Sequence, residues 1–411
     1  MAKVKPFKAI RPKKGLEDKI AALPYDVYSS KEARVIVADK PDSFLNIDRP
    51  ETMFPEGYDM YAPEVYAKAA QRFNEMISDG RFVQEDKDCF YIYELTMNGR
   101  SQTGIVACSS VDDYNNSVIK KHENTRADKE LDRINHVDAL SAQTGPIFLA
   151  YRADDIISEI VNKVKNTTAL YDFTSDDGII HRAWIISDPS DISKLTERFD
   201  AVGDVYIADG HHRCASAAKV CIKRRNENPG YTGEEEFNSF LSVLFPDEEL
   251  MIMDYNRVIK DLNGMTETEV FEKLSELGTV SEITESDKHP KEKGTVSFYI
   301  AGKWYLLRFD DTLLVDDPVE GLDVSILQNN VLKPLFGIDD PKTDKRIDFV
   351  GGIRGIEELE KRVATDCKIA FAMYPTSIAE LFSVADANLL MPPKSTWFEP
   401  KLRSGLFIHQ F

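Results

Sequence analysis

The chain reads as α/β over residues 1–245, with a smaller α+β part over 246–411, so that the whole is α+β. Three observations predict this. Between residues 147 and 245, short apolar runs alternate with segments whose apolar residues recur at helical spacing. Asn98-Gly99 separates two β-rich runs, the strongest short-range hairpin signal. After Phe245-Pro246-Asp247 the alternation gives way to one helix, one hairpin and short elements.

Each element has its own reason. Pro63 opens a helix whose stripe is Val65, Ala69, Phe73, Met76 and Ile77, and Asp79-Gly80 ends it. Cys89 to Leu95 and Gln102 to Ser109 are the two arms of the hairpin. A long polar helix follows over 125–142, and Gly145-Pro146 leads into a strand over 147–151. Helices are expected over 154–165, 192–199 and 212–225, and strands over 179–186, 205–208 and 240–245. Residues 226–236, with Pro229-Gly230 inside, read as an exposed loop. In the second part, a helix over 267–277 precedes a hairpin of 295–300 with 304–309, turning at Ala301-Gly302, and a strand near 370–373.

Composition narrows the partners. Over 411 residues, 51 Lys and Arg stand against 70 Asp and Glu, a net charge of −19. Such a chain has no reason to bind nucleic acid or an anionic membrane broadly. Hydrophobic residues at 42% and charged residues at 29% are those of a globular protein, not a collagenous or disordered one. The start, Met1 to Phe7, has no apolar run behind it, and no stretch approaches the roughly 20 apolar residues of a membrane span. Five widely spaced cysteines form neither a disulfide framework nor a zinc pattern, and Cys214 and Cys221 are expected to be core residues on one helix face. The expectation is a reduced cytoplasm. Oligomeric state is open.

The most informative motif is Asp209-Gly210-His211-His212-Arg213, between a short apolar strand and a small-residue helix. Free N–H groups at a helix start bind anions, and the helix dipole adds to that. Gly210 lets a bound group come close to the backbone. The histidines add donors, Arg213 can fork onto two phosphate oxygens, and Asp209 suits Mg²⁺ or a proton. The plain alternative is a capped helix with two surface histidines, but five polar residues exceed what a cap needs. Zinc is disfavoured, since adjacent histidines rarely share one metal and no third ligand is near in sequence.

A second constellation lies over 120–133. If His122 joins the first helical turn, His122, Arg126, Lys129 and Arg133 share one face beside Glu123. That stripe suggests an anion site; a solvated helix fits the spacing equally well. Leu23-Pro24-Tyr25-Asp26-Val27 reads first as a structural turn. Gly351-Gly352-Ile353-Arg354-Gly355 lacks the P-loop Lys and Ser/Thr and reads first as a tight connection.

Leu23-Pro24-Tyr25-Asp26-Val27, His122-Glu123-Asn124-Thr125, the run from Ile207 to Arg213, 330–338 and Met391-Pro392-Pro393-Lys394-Ser395-Thr396 resemble domain-of-unknown-function family 1015, nearly end to end and in the family's order. The Asp-Gly-His-His-Arg turn is also similar to the phosphate-binding turn of the ParB/sulfiredoxin-like superfamily, which implies a ParB/sulfiredoxin-like mixed sheet for the N-terminal part. His211 stands where sulfiredoxins carry a catalytic Cys, which argues against sulfinic-acid repair. Free-serine kinases of that superfamily use an Asp-Gly-His turn and a separate Glu base. The resemblance therefore implies an ATP- or ADP-dependent, Mg²⁺-requiring kinase of a small hydroxylated metabolite, L-serine first. Gly210, His212 and Arg213 would hold phosphates, and His211 would stabilise the transferring group. Glu123 would be the base, ahead of Asp209 and then Asp26; Asp209 would also meet the metal. His122, Arg126, Lys129 and Arg133 would hold phosphate or substrate carboxylate. The rival is a ParB-type nucleotide-binding regulator without a metabolite substrate.

Overall fold

The computed structural model describes residues 2–125, 127–284 and 286–411, without the side chains of 128 and 129. Two compact units result: Met1–Leu250 with Pro400–Phe411, and Met251–Glu399. The sequence reading placed the division after residue 245 and gave everything beyond it to the second part. Instead the last twelve residues return to the first unit. Leu402, Leu406, Phe407 and Ile408 are buried there, and Ile408 exchanges backbone hydrogen bonds with Ile10 at 2.9 and 3.0 Å. So short a segment has no periodicity from which its destination could be read.

The first unit is built on a mixed sheet of nine strands. In chain order these are β1 (Val4–Lys5), β2 (Phe90–Met97), β3 (Arg100–Ser110), β4 (Ile119–Lys120), β5 (Ile147–Tyr151), β6 (Tyr171–Thr174), β7 (Ile180–Ile186), β8 (Val205–Asp209) and β9 (Ser239–Pro246). Their order across the sheet is β4-β8-β5-β9-β3-β2-β7-β6, with β1 on β3 beyond the end of β2. Pairs β4/β8 and β5/β9 are parallel and the others antiparallel. Met97 faces Arg100 across a two-residue turn, with Asn98 and Gly99 both at positive φ (51° and 78°), as an Asn-Gly hairpin requires.

The helices include α1 (Pro63–Ser78), α2 (Ala127–Leu140), α3 (Asp155–Lys165), α4 (Pro189–Val202) and α5 (His211–Glu227). One core joins α3, α4 and α5 to one sheet face: Ile157, Leu195, Phe199, Cys214 and Cys221 pack with Ile92, Leu149, Ile207 and Leu244. Cys214 and Cys221 are thus core residues, as expected. A second core gathers Phe73 of α1, Phe44, Phe82, Leu140 and Ile408.

The second unit carries a six-stranded antiparallel sheet. The Ala301-Gly302 turn closes its hairpin Thr295–Ile300 with Lys303–Phe309, both turn residues at positive φ (52° and 78°). The 351–355 glycines serve packing. A Cβ on Gly351 would lie 2.7 Å from the Trp397 ring, and one on Gly352 would lie 2.1 Å from Asp254 Oδ1.

A buried polar network ties the returning segment down. Arg403, 4% exposed, pairs with Asp177 and donates to His181 Nε2 at 3.3 Å. Ser175 Oγ lies 2.9 Å from the same nitrogen, and Tyr93 Oη lies 2.8 Å from Nδ1. Burial, with Arg403 adding to it, lowers the His181 pKa to about 3.

Two outcomes follow for stability. In the folded state His181 stays neutral, whereas in the unfolded chain it takes a proton below about pH 6.5. Stability therefore falls as pH drops from 6.5 towards 3, with a slope of about 1.4 kcal/mol per pH unit for this one proton. Urea unfolding between pH 4 and 6.5 will show that His181→Asn loses that share of the slope. Gly104→Ala will destabilise the first unit by about 1–3 kcal/mol through overpacking, since its Cβ would lie 2.7 Å from Val243 Cγ1 and 2.9 Å from the Phe245 ring.

Candidate functional site

β8 ends at Asp209 and α5 begins at His211, so one residue makes the whole turn. That residue is Gly210, at φ 97° and ψ 30°, a left-handed conformation costly to any residue with a Cβ. A Cβ there would also lie 3.1 Å from the Arg213 guanidinium. Gly210, at the N-cap position, has no side chain with which to cap α5, so the N–H groups of its first turn are not satisfied by that residue. Seventeen residues of aligned dipole stand behind them.

Asp209 sits at the mouth of this helix. Its Oδ1 accepts from the Gly210 N–H at 2.9 Å, and its Oδ2 lies 3.2 Å from Lys401 Nζ and 3.8 Å from Arg213 Nη2. Burial opposes ionisation, but Lys401 and Arg213 outweigh it and hold this carboxyl well below the usual range. Its side chain keeps 36% of its exposure, so it faces both protein and solvent.

His122 and His211 meet edge to face, ring centres 4.5 Å apart. The His122 backbone N–H donates to His211 Nε2 at 3.5 Å, which assigns the His211 proton to Nδ1. Nδ1 lies 3.8 Å from Glu123 Oε2. Burial and the neighbouring His122 push the His211 pKa well down, so the ring is a neutral donor aimed at Glu123. His122 is 2% exposed, and neither ring nitrogen has a well-formed hydrogen bond among the described residues. Burial lowers its pKa to about 4, with Asp209 acting against that. The Ile207 backbone is close enough to the ring to interact with it as well.

Arg213 links the turn to a small pocket, with a cavity volume of about 30 Å³, whose walls include Tyr25, Asp48, Arg133, Thr144 and Ser404. Its Nη1 donates to the Pro146 carbonyl at 2.6 Å. Arg133 is buried, with its guanidinium 3.8 Å from the Tyr25 ring centre and Nη2 at 2.8 Å from Asp132 Oδ2. Burial pushes the Tyr25 pKa up to about 12, so its hydroxyl stays protonated. Asp48 is 3% exposed and accepts from Thr144 Oγ1 at 3.1 Å. It makes no salt bridge among the described residues, although Arg133 is close enough to feel its charge.

The structure thus brings His122, Glu123, Asp209, Gly210, His211 and Arg213 to one place, and Arg133 to the pocket that Arg213 shares. His212 sits in the first turn of α5, where its carbonyl accepts from Ser216 Oγ at 2.7 Å. The common helical face from His122 to Arg133 is corrected. α2 begins only at Ala127, and His122 lies in the loop after β4, because β4 pairs in parallel with β8 and carries the chain alongside the turn. Arg126 and the Lys129 side chain lie outside the described residues. Asp26 is exposed, while its neighbour Tyr25 faces the pocket. The sequence reading missed Lys401, Asp48, Tyr25 and Ser404. Of these only Tyr25 carried a signal, as part of the Pro-shaped loop.

The metal expectation meets a sparse donor set. No group of three or more His, Cys, Asp or Glu is placed to hold a metal ion among the described residues. Asp209 at the turn and Glu123 beside His211 offer carboxylates, and an Mg²⁺ carried by a nucleotide asks a protein for one or two.

Among solved structures, a free serine kinase variant in complex with AMP aligns at a TM-score of 0.35 and 16% identity, over 73% of this chain and 91% of that one. A conserved hypothetical protein from Pyrococcus furiosus aligns at 0.33 and 17%, over 73% and 93%. SbnI from Staphylococcus aureus, truncated at its C-terminus, aligns at 0.34 and 10%, over 72% and 82%. No curated protein matches in sequence. No helix among the described residues is long and apolar enough to cross a membrane. A family model, described as a protein of unknown function (DUF1015), matches residues 4–325, and the chain belongs to that family.

Proposed function

We propose that the first unit binds an adenine nucleotide at the start of α5 and transfers a phosphoryl group to the hydroxyl of a small metabolite, L-serine first. One observation carries this: Arg213 joins a helix N-terminus whose N-cap is a glycine to a pocket holding a second guanidinium and a buried carboxylate that makes no salt bridge among the described residues. The first feature suits phosphates. The second suits a zwitterion, its carboxylate facing Arg133 and its ammonium group facing Asp48.

Phosphoryl transfer needs positioning and charge neutralisation more than covalent help. In this reading the N–H groups of α5, His212 and Arg213 hold the phosphates. The serine oxygen attacks the terminal phosphorus, a new P–O bond forms, and the bond to the departing ADP or AMP breaks. The hydroxyl proton goes to Glu123. His211, a neutral donor beside Glu123, supports the transferring group. Asp209 would be the carboxylate that faces a nucleotide-borne Mg²⁺, whose charge would offset that of the phosphates. Arg126 and Lys129 remain candidates for further phosphate contacts.

The test is to incubate the protein with Mg²⁺, ATP or ADP and a panel of serine, threonine, glycerate and inositol, and to detect phosphorylated product by mass spectrometry. Nucleotide binding without any phosphorylated product would instead support the ParB-type regulator. His211→Ala and Arg213→Ala will each lower turnover by about 10²–10³ with the fold retained; normal product formation by both sinks the proposal. Asp48→Asn will raise KM for serine while leaving nucleotide affinity unchanged. Glycerate, which has no ammonium group, will not discriminate between Asp48→Asn and the parent protein.

A further inference from the structure

We infer that Lys401, delivered by the returning C-terminal segment, is a phosphate-binding residue of this site. The inference rests on the nucleotide reading above and adds to it a lysine, which the turn itself lacks. Phosphate sites at a strand–turn–helix junction commonly add a lysine to the backbone N–H groups. No lysine occurs between Asp209 and Lys219. The fold supplies one from 192 residues away, with Nζ at 3.2 Å from Asp209 Oδ2.

The placement is built, not incidental. Two residues beyond Lys401, Arg403 is anchored to Asp177, Ser175 and His181. Ser404 and Ala22 exchange backbone hydrogen bonds at 2.8 and 3.1 Å, and the Gly405 N–H donates to the Thr144 carbonyl at 2.9 Å. Gly405 is at φ 76°, and a Cβ there would lie 2.3 Å from the Phe44 ring. The backbone near Lys401 is therefore held, while its four-carbon side chain, 17% exposed, ends in an ammonium group beside Asp209. A phosphate at the start of α5 would lie on the same side of the turn as that carboxylate. The ammonium group has three donors and can reach the phosphate while staying near Asp209. His122 adds a second, independent polar group at this place: it is buried, feels the Asp209 charge, and its ring nitrogens make no well-formed hydrogen bond among the described residues beyond a loose approach to the Ile207 backbone.

The experiment uses the full chain and measures ADP and adenosine binding by calorimetry. Lys401→Met will weaken ADP by about 10–100-fold, as the loss of one charge-assisted phosphate contact does, and leave adenosine unchanged. Lys401→Arg will restore most of the loss. If the lysine serves only to neutralise Asp209, the pair Asp209→Asn and Asp209→Asn/Lys401→Met will bind ADP equally. A further loss in the double variant is the expected result, and equality overturns the inference even if Lys401→Met alone folds poorly. A parent protein that binds ADP while Lys401→Met binds it equally well overturns the inference and leaves the nucleotide reading standing. A parent protein that binds neither ADP nor ATP overturns both.

Discussion

Asp209 is the charge around which the first unit's polar architecture is arranged. It ends a buried strand and precedes a helix whose N-cap is a glycine, and its ionised state is held by Lys401 and Arg213 against the cost of burial. Each partner has a second engagement. Arg213 reaches the Pro146 carbonyl and the pocket. Lys401 belongs to a segment fastened at Ala22, Thr144 and Ile10. One carboxylate thereby links the β8–α5 turn, the β5 entry and the C-terminal segment. A neutral or cationic residue there would leave two cations facing a positive helix end without compensation.

The histidines show how burial assigns chemistry. His122, His181 and His211 are all held neutral, mainly by desolvation. Their uses differ because their partners differ. His181 has both ring nitrogens engaged by Tyr93, Ser175 and Arg403, so it is an anchor. His211 donates towards a half-exposed Glu123, and His122 has no well-formed ring hydrogen bond among the described residues, so these two are available to the proposed ligand. The protein's −19 net charge is consistent with this arrangement. The acidic surface disfavours polyanions broadly, while a few cations, fixed by hydrogen bonds, gather at the β8–α5 turn.

Much of the fold was legible. Asn98-Gly99 specified a hairpin because few other dipeptides accept two left-handed residues, and the structure has that turn. The stripe from Val65 to Met76 gave its helix because 3.6 residues per turn is a local property. The strands at 147 and 205 and the helix after Gly210 were visible for the same reason. Two-residue strands such as β4 were not, since pairing with a distant neighbour, and no propensity of their own, defines them. The expected helical face from His122 to Arg133 failed on that point: β8 captures 119–120 as a strand, which delays the helix to Ala127.

Sequence alone determined the site's nucleus. Asp209, Gly210, His211, His212 and Arg213 are adjacent in the chain, and a strand–glycine–helix turn must present its N–H groups together whatever surrounds it. It also determined that a net-acidic chain has no broad basic face. Tertiary structure decided the rest. It placed His122 and Glu123 against His211, set Arg133 and the buried Asp48 in a pocket with Arg213, and carried Lys401 across 192 residues to Asp209. Such meetings depend on strand order and on long-range burial of Leu402, Phe407 and Ile408. No local pattern encodes them, because spacing along a chain fixes geometry only within a single element.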